Sequence, residues 1–113
     1  MNQKLLFICT ANQMRSRTAE EMYKNDPRFE VASAGTAWFA ERRIDEQNLS
    51  WADIIVVMEQ HHQKAIRKEF PRIAKEKKIL VLDIPDIYQF MDRTLMRDLK
   101  AKFEEVYARE TSR

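Results

Sequence analysis

The stretch KLLFICTANQMRSRTAEEMYKND, Lys4 to Asp26, carries two different periodicities in turn. Leu5 to Cys9 is an unbroken apolar run of strand length, without the alternation of a half-exposed strand. Such runs belong to sheets covered on both faces. From Ser16 the spacing changes: Ala19, Met22 and Tyr23 share one face of a helix that Asp26-Pro27 stops. A buried strand feeding a helix across a short loop is the opening unit of a parallel α/β sheet.

The same alternation repeats downstream. FEVASAG (Phe29–Gly35) reads as a second strand and ends at the chain's only glycine. Polar sequence then leads to the β-branched run Ile54 to Val57, a third strand. EQHHQKAIRKEFPRIAKEKK reads as a helix broken near Pro71, KILVLDI (Lys78–Ile84) as a fourth strand, and PDIYQFMD as a loop. Leu95, Leu99, Phe103, Val106 and Tyr107 form one stripe of a final helix, with Asp92 placed as its N-cap. The expectation is an α/β fold, a four-stranded parallel sheet with helices on both faces, for which right-handed crossovers leave few topologies. In such sheets ligands bind beyond the carboxyl ends of the strands, where Cys9, Gly35, Met58 and the loop after Ile84 all fall.

Composition narrows the classes. Residues 1–113 are expected to form a single domain, with 44% hydrophobic and 34% charged residues excluding a disordered chain. No apolar run approaches the ~18 residues of a membrane span. The run Leu5 to Cys9 is too short for a secretory signal, and Arg15 and Arg17 follow it closely. One cysteine rules out an intrachain disulfide and a thiolate zinc site, and fits the cytoplasm. Neither a metal nor a cofactor is expected. A net charge of +2 is too small to argue for nucleic acid, and the basic segment Lys64 to Lys78 reads as a solvated helix face. His61 and His62, adjacent at a helix start, are expected on the surface, and Trp51 in the core. Arg42 and Arg43 are expected as an exposed pair.

The loop from Cys9 to Arg15 has its own chemistry. A strand-to-helix turn aims several backbone N–H groups at one point, and the helix N-terminus adds unpaired donors and a dipole that favours an anion. A sulfur at the centre of that nest is a candidate thiolate nucleophile. Arg15 brings a guanidinium fork that matches two phosphate oxygens, Ser16 a hydroxyl for the sulfur, and Asn12 a residue that tolerates left-handed backbone. By itself, a lone cysteine at a strand end is more often a small buried hydrophobe.

Four motifs in order, LLFICTANQMRS, ASAGT, WADIIVVME and IPDIYQF, resemble the layout of the low-molecular-weight protein tyrosine phosphatases across nearly the whole chain. The resemblance implies a small three-layer sandwich with sheet order 2-1-3-4, and a metal-independent phosphatase that forms a phosphocysteine on Cys9. Arg15 and the backbone of Thr10, Ala11, Asn12, Gln13 and Met14 would bind phosphate. Ser16 would steady the sulfur, and Asn12 and Ser33 would hold the loop. Asp86 would be the general acid, with Asp83 as the fallback, and Trp38 and Tyr88 would wall the substrate. The chain departs from the family at Ala11, at Met14 where members carry a second cysteine, and at Ile87. It is also shorter between ASAGT and WADII. The implied partner is a phosphorylated protein or small phosphomonoester, with a phosphorylated nucleotide or RNA end left open, and the chain is expected to be a monomer or weak dimer. Arsenate reduction coupled to an external thiol and a phosphate-binding or phosphocysteine carrier module remain as alternatives.

Overall fold

A computed structural model describes residues 2–112. The elements run β1 Gln3–Cys9, α1 Arg15–Tyr23, β2 Phe29–Gly35, α2 Glu46–Trp51, β3 Ile54–Val57, α3 Gln60–Glu69, α4 Pro71–Glu76, β4 Lys78–Val81 and α5 Arg93–Thr111. All strand pairs are parallel, as the alternating pattern predicts, and the sheet order is β2-β1-β3-β4, as the resemblance implies.

The apolar run of β1 works because side chains alternate between two covered faces. Leu5, Phe7 and Cys9 point to one core with Ala19 and Tyr23 of α1 and Leu95, Leu99 and Phe103 of α5. Leu6 and Ile8 point to the other, with Leu49 of α2, Ile66 of α3 and Ile73 of α4. Aromatic rings knit the first core: Phe103 lies 5.0 Å from Tyr23 and 5.7 Å from Phe7, both edge-on. Full burial of such a side chain stabilises by about 1.5–3 kcal/mol. Trp51 is half-buried and packs against the second core.

Two boundaries differ from the sequence expectation. Helix α2 lies in sequence that reads as polar connection, because only Leu49 of its six residues is buried and no apolar stripe marks it. A capping box starts it instead: Asp45 accepts from the Asn48 amide, and the Asn48 side chain accepts from the Asp45 amide. Strand β4 ends at Val81 rather than Ile84. Leu82 and Ile84 still donate to the carbonyls of Val57 and Met58. Asp83 between them has φ 59°, a left-handed kink that interrupts the ladder. The break before Pro71 is as expected: Phe70 ends α3 and Pro71 takes the first position of α4.

The basic segment divides in two. Lys64, Arg67, Lys68, Arg72 and Lys75 are exposed along α3 and α4. Lys77 instead donates to the carbonyls of Ser50 (2.8 Å) and Ala52 (2.6 Å), tying the end of α2 to the start of β4. Among the described residues no helix is long and apolar enough to cross a membrane.

Candidate active site

At the carboxyl edge of the sheet, Cys9, Thr10, Ala11, Gln13, Met14, Arg15 and Asp86 line a hollow of about 190 Å³. Its floor is the β1–α1 loop. The carbonyls of Cys9, Thr10 and Ala11 accept from the amides of Thr36, Ala37 and Glu41, at 3.0 to 3.1 Å. Because peptide groups are planar, carbonyls pulled outward toward residues 36–41 turn the following N–H groups inward. Gly35 makes that approach possible. A Cβ there would stand 2.4 Å from the Thr10 carbonyl oxygen and 3.0 Å from the Asn12 nitrogen.

Asn12 holds the loop from beneath. It is buried, adopts φ 57°, and donates one amide hydrogen to Ser16 Oγ and the other to Ser33 Oγ, both at 2.9 Å. Ser33 passes its own proton to Glu20 Oε1 at 2.5 Å. Ser16 Oγ, an acceptor from Asn12, lies 3.0 Å from Cys9 Sγ and keeps a proton that it can donate when the sulfur is a thiolate.

Arg15 is buried at 1% exposure, and two partners balance it on one side. Its Nη1 donates to Glu59 Oε1 at 2.5 Å and to the Ile84 carbonyl at 2.8 Å. With both Nη1 hydrogens spoken for, the Nε–H and Nη2–H edge remains for a bidentate oxyanion. Nε lies 3.8 Å from Asp86 Oδ1 across the mouth, and Nη2 3.5 Å from Thr10 Oγ1. Asp86 is exposed and lines the hollow. Asp83 lines a separate depression with Glu59, Gln60, His61, Lys64 and Pro85.

One placement differs from what the residues alone suggested, and the two aromatic walls implied by the resemblance stand outside the hollow. His62 is fully buried, not on the surface, because it is the third residue of α3 and closes a capping box. Its Nδ1 accepts from the Glu59 amide at 3.0 Å and its Nε2 meets Thr10 Oγ1 at 2.9 Å. Desolvation, with the nearby His61 and Arg15, pushes its pKa down to about 3. Trp38 is 85% exposed beside Phe39, outside the lining of the hollow. Tyr88 also stands outside it, half-buried against the first core, its hydroxyl donating to Asp98 Oδ2 at 3.2 Å. Arg43 is tied to Glu69 by two bonds, leaving Arg42 as the exposed member of that pair.

Glu59 and His62 are site residues that motif reading missed. The available signals were an acid directly beyond the third strand and the Glu-x-x-His spacing of a capping box. Burial alone would raise the Glu59 carboxyl, but hydrogen bonds from Arg15 and His61 outweigh it and hold the group low. Glu59, His61 and His62 offer ligand atoms within 4.8 Å of one another. Glu59 is committed to Arg15 and both ring nitrogens of His62 to protein partners, so a metal here would have to break the loop's own bonds.

Residues 4–50 match the family described as Low molecular weight phosphotyrosine protein phosphatase. No curated protein matches the chain. Among solved structures it is similar to the tyrosine phosphatase Wzb from Escherichia coli in complex with phosphate, with TM-score 0.76, 21% identity, and 98% of this chain and 99% of that one covered. It is also similar to Vibrio vulnificus Wzb in complex with benzylphosphonate, with TM-score 0.73, 22% identity and 100% of both chains covered. A third is the YwlE arginine phosphatase from Geobacillus stearothermophilus, with TM-score 0.64, 23% identity, and coverage of 96% and 97%. The match to that family is thus confined to residues 4–50, and the solved structures share the fold.

Proposed function

Taking residues 4–50 as a low-molecular-weight phosphotyrosine protein phosphatase segment, we propose that the chain is a cysteine-dependent phosphatase acting on phosphomonoesters of the phosphotyrosine type. The observation that carries this is the single hollow into which Cys9, the free edge of Arg15, the inward loop amides and Asp86 converge.

Cys9 Sγ attacks phosphorus, forming the S–P bond as the P–O bond to the leaving group breaks. The Asp86 carboxylic acid gives its proton to the departing oxygen. In the second step Asp86, now a carboxylate, takes a proton from water. That water's oxygen bonds to phosphorus, the S–P bond breaks, and inorganic phosphate leaves. Ser16 donates to the sulfur and so steadies it as it departs. Arg15 and the amides of Thr10 to Arg15 offset charge on the three equatorial oxygens in both steps. Every charge that develops has a partner in this chain, so the scheme calls for no metal. Asp86 also separates this reading from a phosphocysteine carrier, which has no use for an acid at the mouth. Trp38 and Ile87, exposed on the two flanking loops, would meet the part of the substrate beyond the phosphate. A lone free cysteine suits a reducing compartment such as the cytoplasm.

The test is a hydrolysis panel of phosphotyrosine peptide, phosphoserine peptide, phosphoarginine, nucleotide and nitrophenyl phosphate, run beside Cys9→Ser. Release of phosphate from the phosphotyrosine peptide and nitrophenyl phosphate, abolished in Cys9→Ser while phosphate affinity persists, is expected. Undiminished turnover in Cys9→Ser would sink the scheme, and phosphoarginine as the fastest substrate would reassign its specificity.

A further inference from the structure

We propose that His62 is a positioning residue that aims the Thr10 hydroxyl proton into the hollow, making the Thr10 side chain an oxyanion donor beside the loop amides. This rests on the phosphatase reading only in naming the oxyanion as a phosphoryl group.

The argument counts hydrogens. The Glu59 amide donates to His62 Nδ1, so that nitrogen holds the lone pair. The imidazole of the neutral tautomer then carries its hydrogen on Nε2 and donates it to Thr10 Oγ1 at 2.9 Å. A hydroxyl oxygen has two lone pairs and one hydrogen. His62 takes one lone pair, and Arg15 Nη2 leans on the other at 3.5 Å. The hydroxyl hydrogen must therefore point away from both donors, and Thr10 lines the hollow. Among the described hydrogen bonds no protein acceptor takes that proton. Burial and the neighbouring charges keep His62 neutral, so the direction holds throughout the working pH range.

The module is economical in its parts. One turn of α3 supplies Glu59, which orients Arg15, and His62, which orients Thr10, at opposite ends of the same loop. A serine at position 10 keeps the donor, and valine keeps the shape without it. Glutamine at position 62 can place its Nε2 donor near the imidazole Nε2, and leucine cannot donate.

Inorganic phosphate titrated calorimetrically into the Cys9→Ser protein reads this without turnover. Thr10→Val and His62→Leu should each weaken binding by about ten- to a hundredfold, as expected for one bond to a charged group. Thr10→Ser and His62→Gln should stay within about twofold of the parent, and the Thr10→Val/His62→Leu double variant should bind no more weakly than Thr10→Val alone. Unchanged affinity in Thr10→Val, or a double variant whose loss is the product of the single losses, overturns the proposal. If His62→Leu does not fold, the Thr10 pair and His62→Gln decide: affinity lost only in Thr10→Val supports it, equal affinity in all overturns it. A chain that binds phosphate through Thr10 but hydrolyses nothing defeats the phosphatase reading and leaves this one standing. Hydrolysis with no dependence on Thr10 does the reverse.

Discussion

Arg15 is a cation almost wholly removed from water, and its neighbours explain both why it tolerates this and what it can still do. An unpaired buried charge is penalised by several kcal/mol, on the order of what breaking a buried pair costs. Glu59 and the Ile84 carbonyl relieve that on the Nη1 side and leave the opposite edge unspent. Asp86 closes the constellation from a loop and stays exposed, as suits a group that must exchange protons with both a leaving group and water. Asp86→Ala should lower kcat by roughly 10²–10⁴ on esters with poor leaving groups and much less on nitrophenyl phosphate, whose phenolate departs unaided. Asp83→Ala should leave both rates near the parent value. If the leaving-group dependence appears in Asp83→Ala instead, the acid has been placed on the wrong residue.

At the scale of elements, the loop owes its shape to neighbours rather than to its own sequence. The 36–41 segment draws its carbonyls outward, α1 starts immediately after it, and β2 ends at Gly35 directly against its back. The Thr10 carbonyl is backbone, so it cannot swing aside for a new methyl group. Gly35→Ala should therefore destabilise the fold by about 1–3 kcal/mol, the usual range for overpacking, and lower kcat by displacing the loop. Urea unfolding and nitrophenyl phosphate kinetics on the same preparation check both effects. A variant as stable and as active as the parent would show that the approach is not tight. The acid loop is fastened separately: the Met91 amide donates to Thr18 Oγ1 at 2.9 Å, and Thr18 in turn donates to the Met14 carbonyl at 2.7 Å. That threonine joins the acid loop to the start of α1.

For the molecule as a whole, the perturbed groups point to acid as the weak side. His62 titrates at about 3 in the fold against an ordinary 6.5, facing Arg15, His61 and Glu59. Below about 6.5 the unfolded chain takes up a proton that the native state refuses, so stability falls as pH drops toward 3. Asp26 and Glu104, held low chiefly by hydrogen bonds from Arg28, add losses of the same sign in the carboxylate range. The urea midpoint should thus be lower at about pH 5.5 than at about pH 7.5, and His62→Gln should flatten that difference. An unchanged slope in His62→Gln would mean that another group carries the acid sensitivity.

Local pattern was enough for much of this. The unbroken run Leu5 to Cys9 required two covered faces, the β-branched Ile54 to Val57 required a strand, and the stripe Leu95 to Phe103 behind Asp92 required a capped helix. Those are short-range consequences of side-chain spacing, and the handedness of crossovers then left few ways to order the strands. Helix α2 stayed hidden because a capping box and one buried leucine leave no periodicity to read. The early end of β4 stayed hidden because a left-handed Asp83 has no glycine to announce it. At the site, Cys9 and Arg15 were legible because one loop carries both. Glu59 and His62 were not, being 44 and 52 positions from the groups they orient. Only the packing of α3 against the sheet edge brings a half-buried carboxylate and a neutral imidazole to that loop, since pairing a cation out of water is a property of three-dimensional neighbours and not of spacing along the chain.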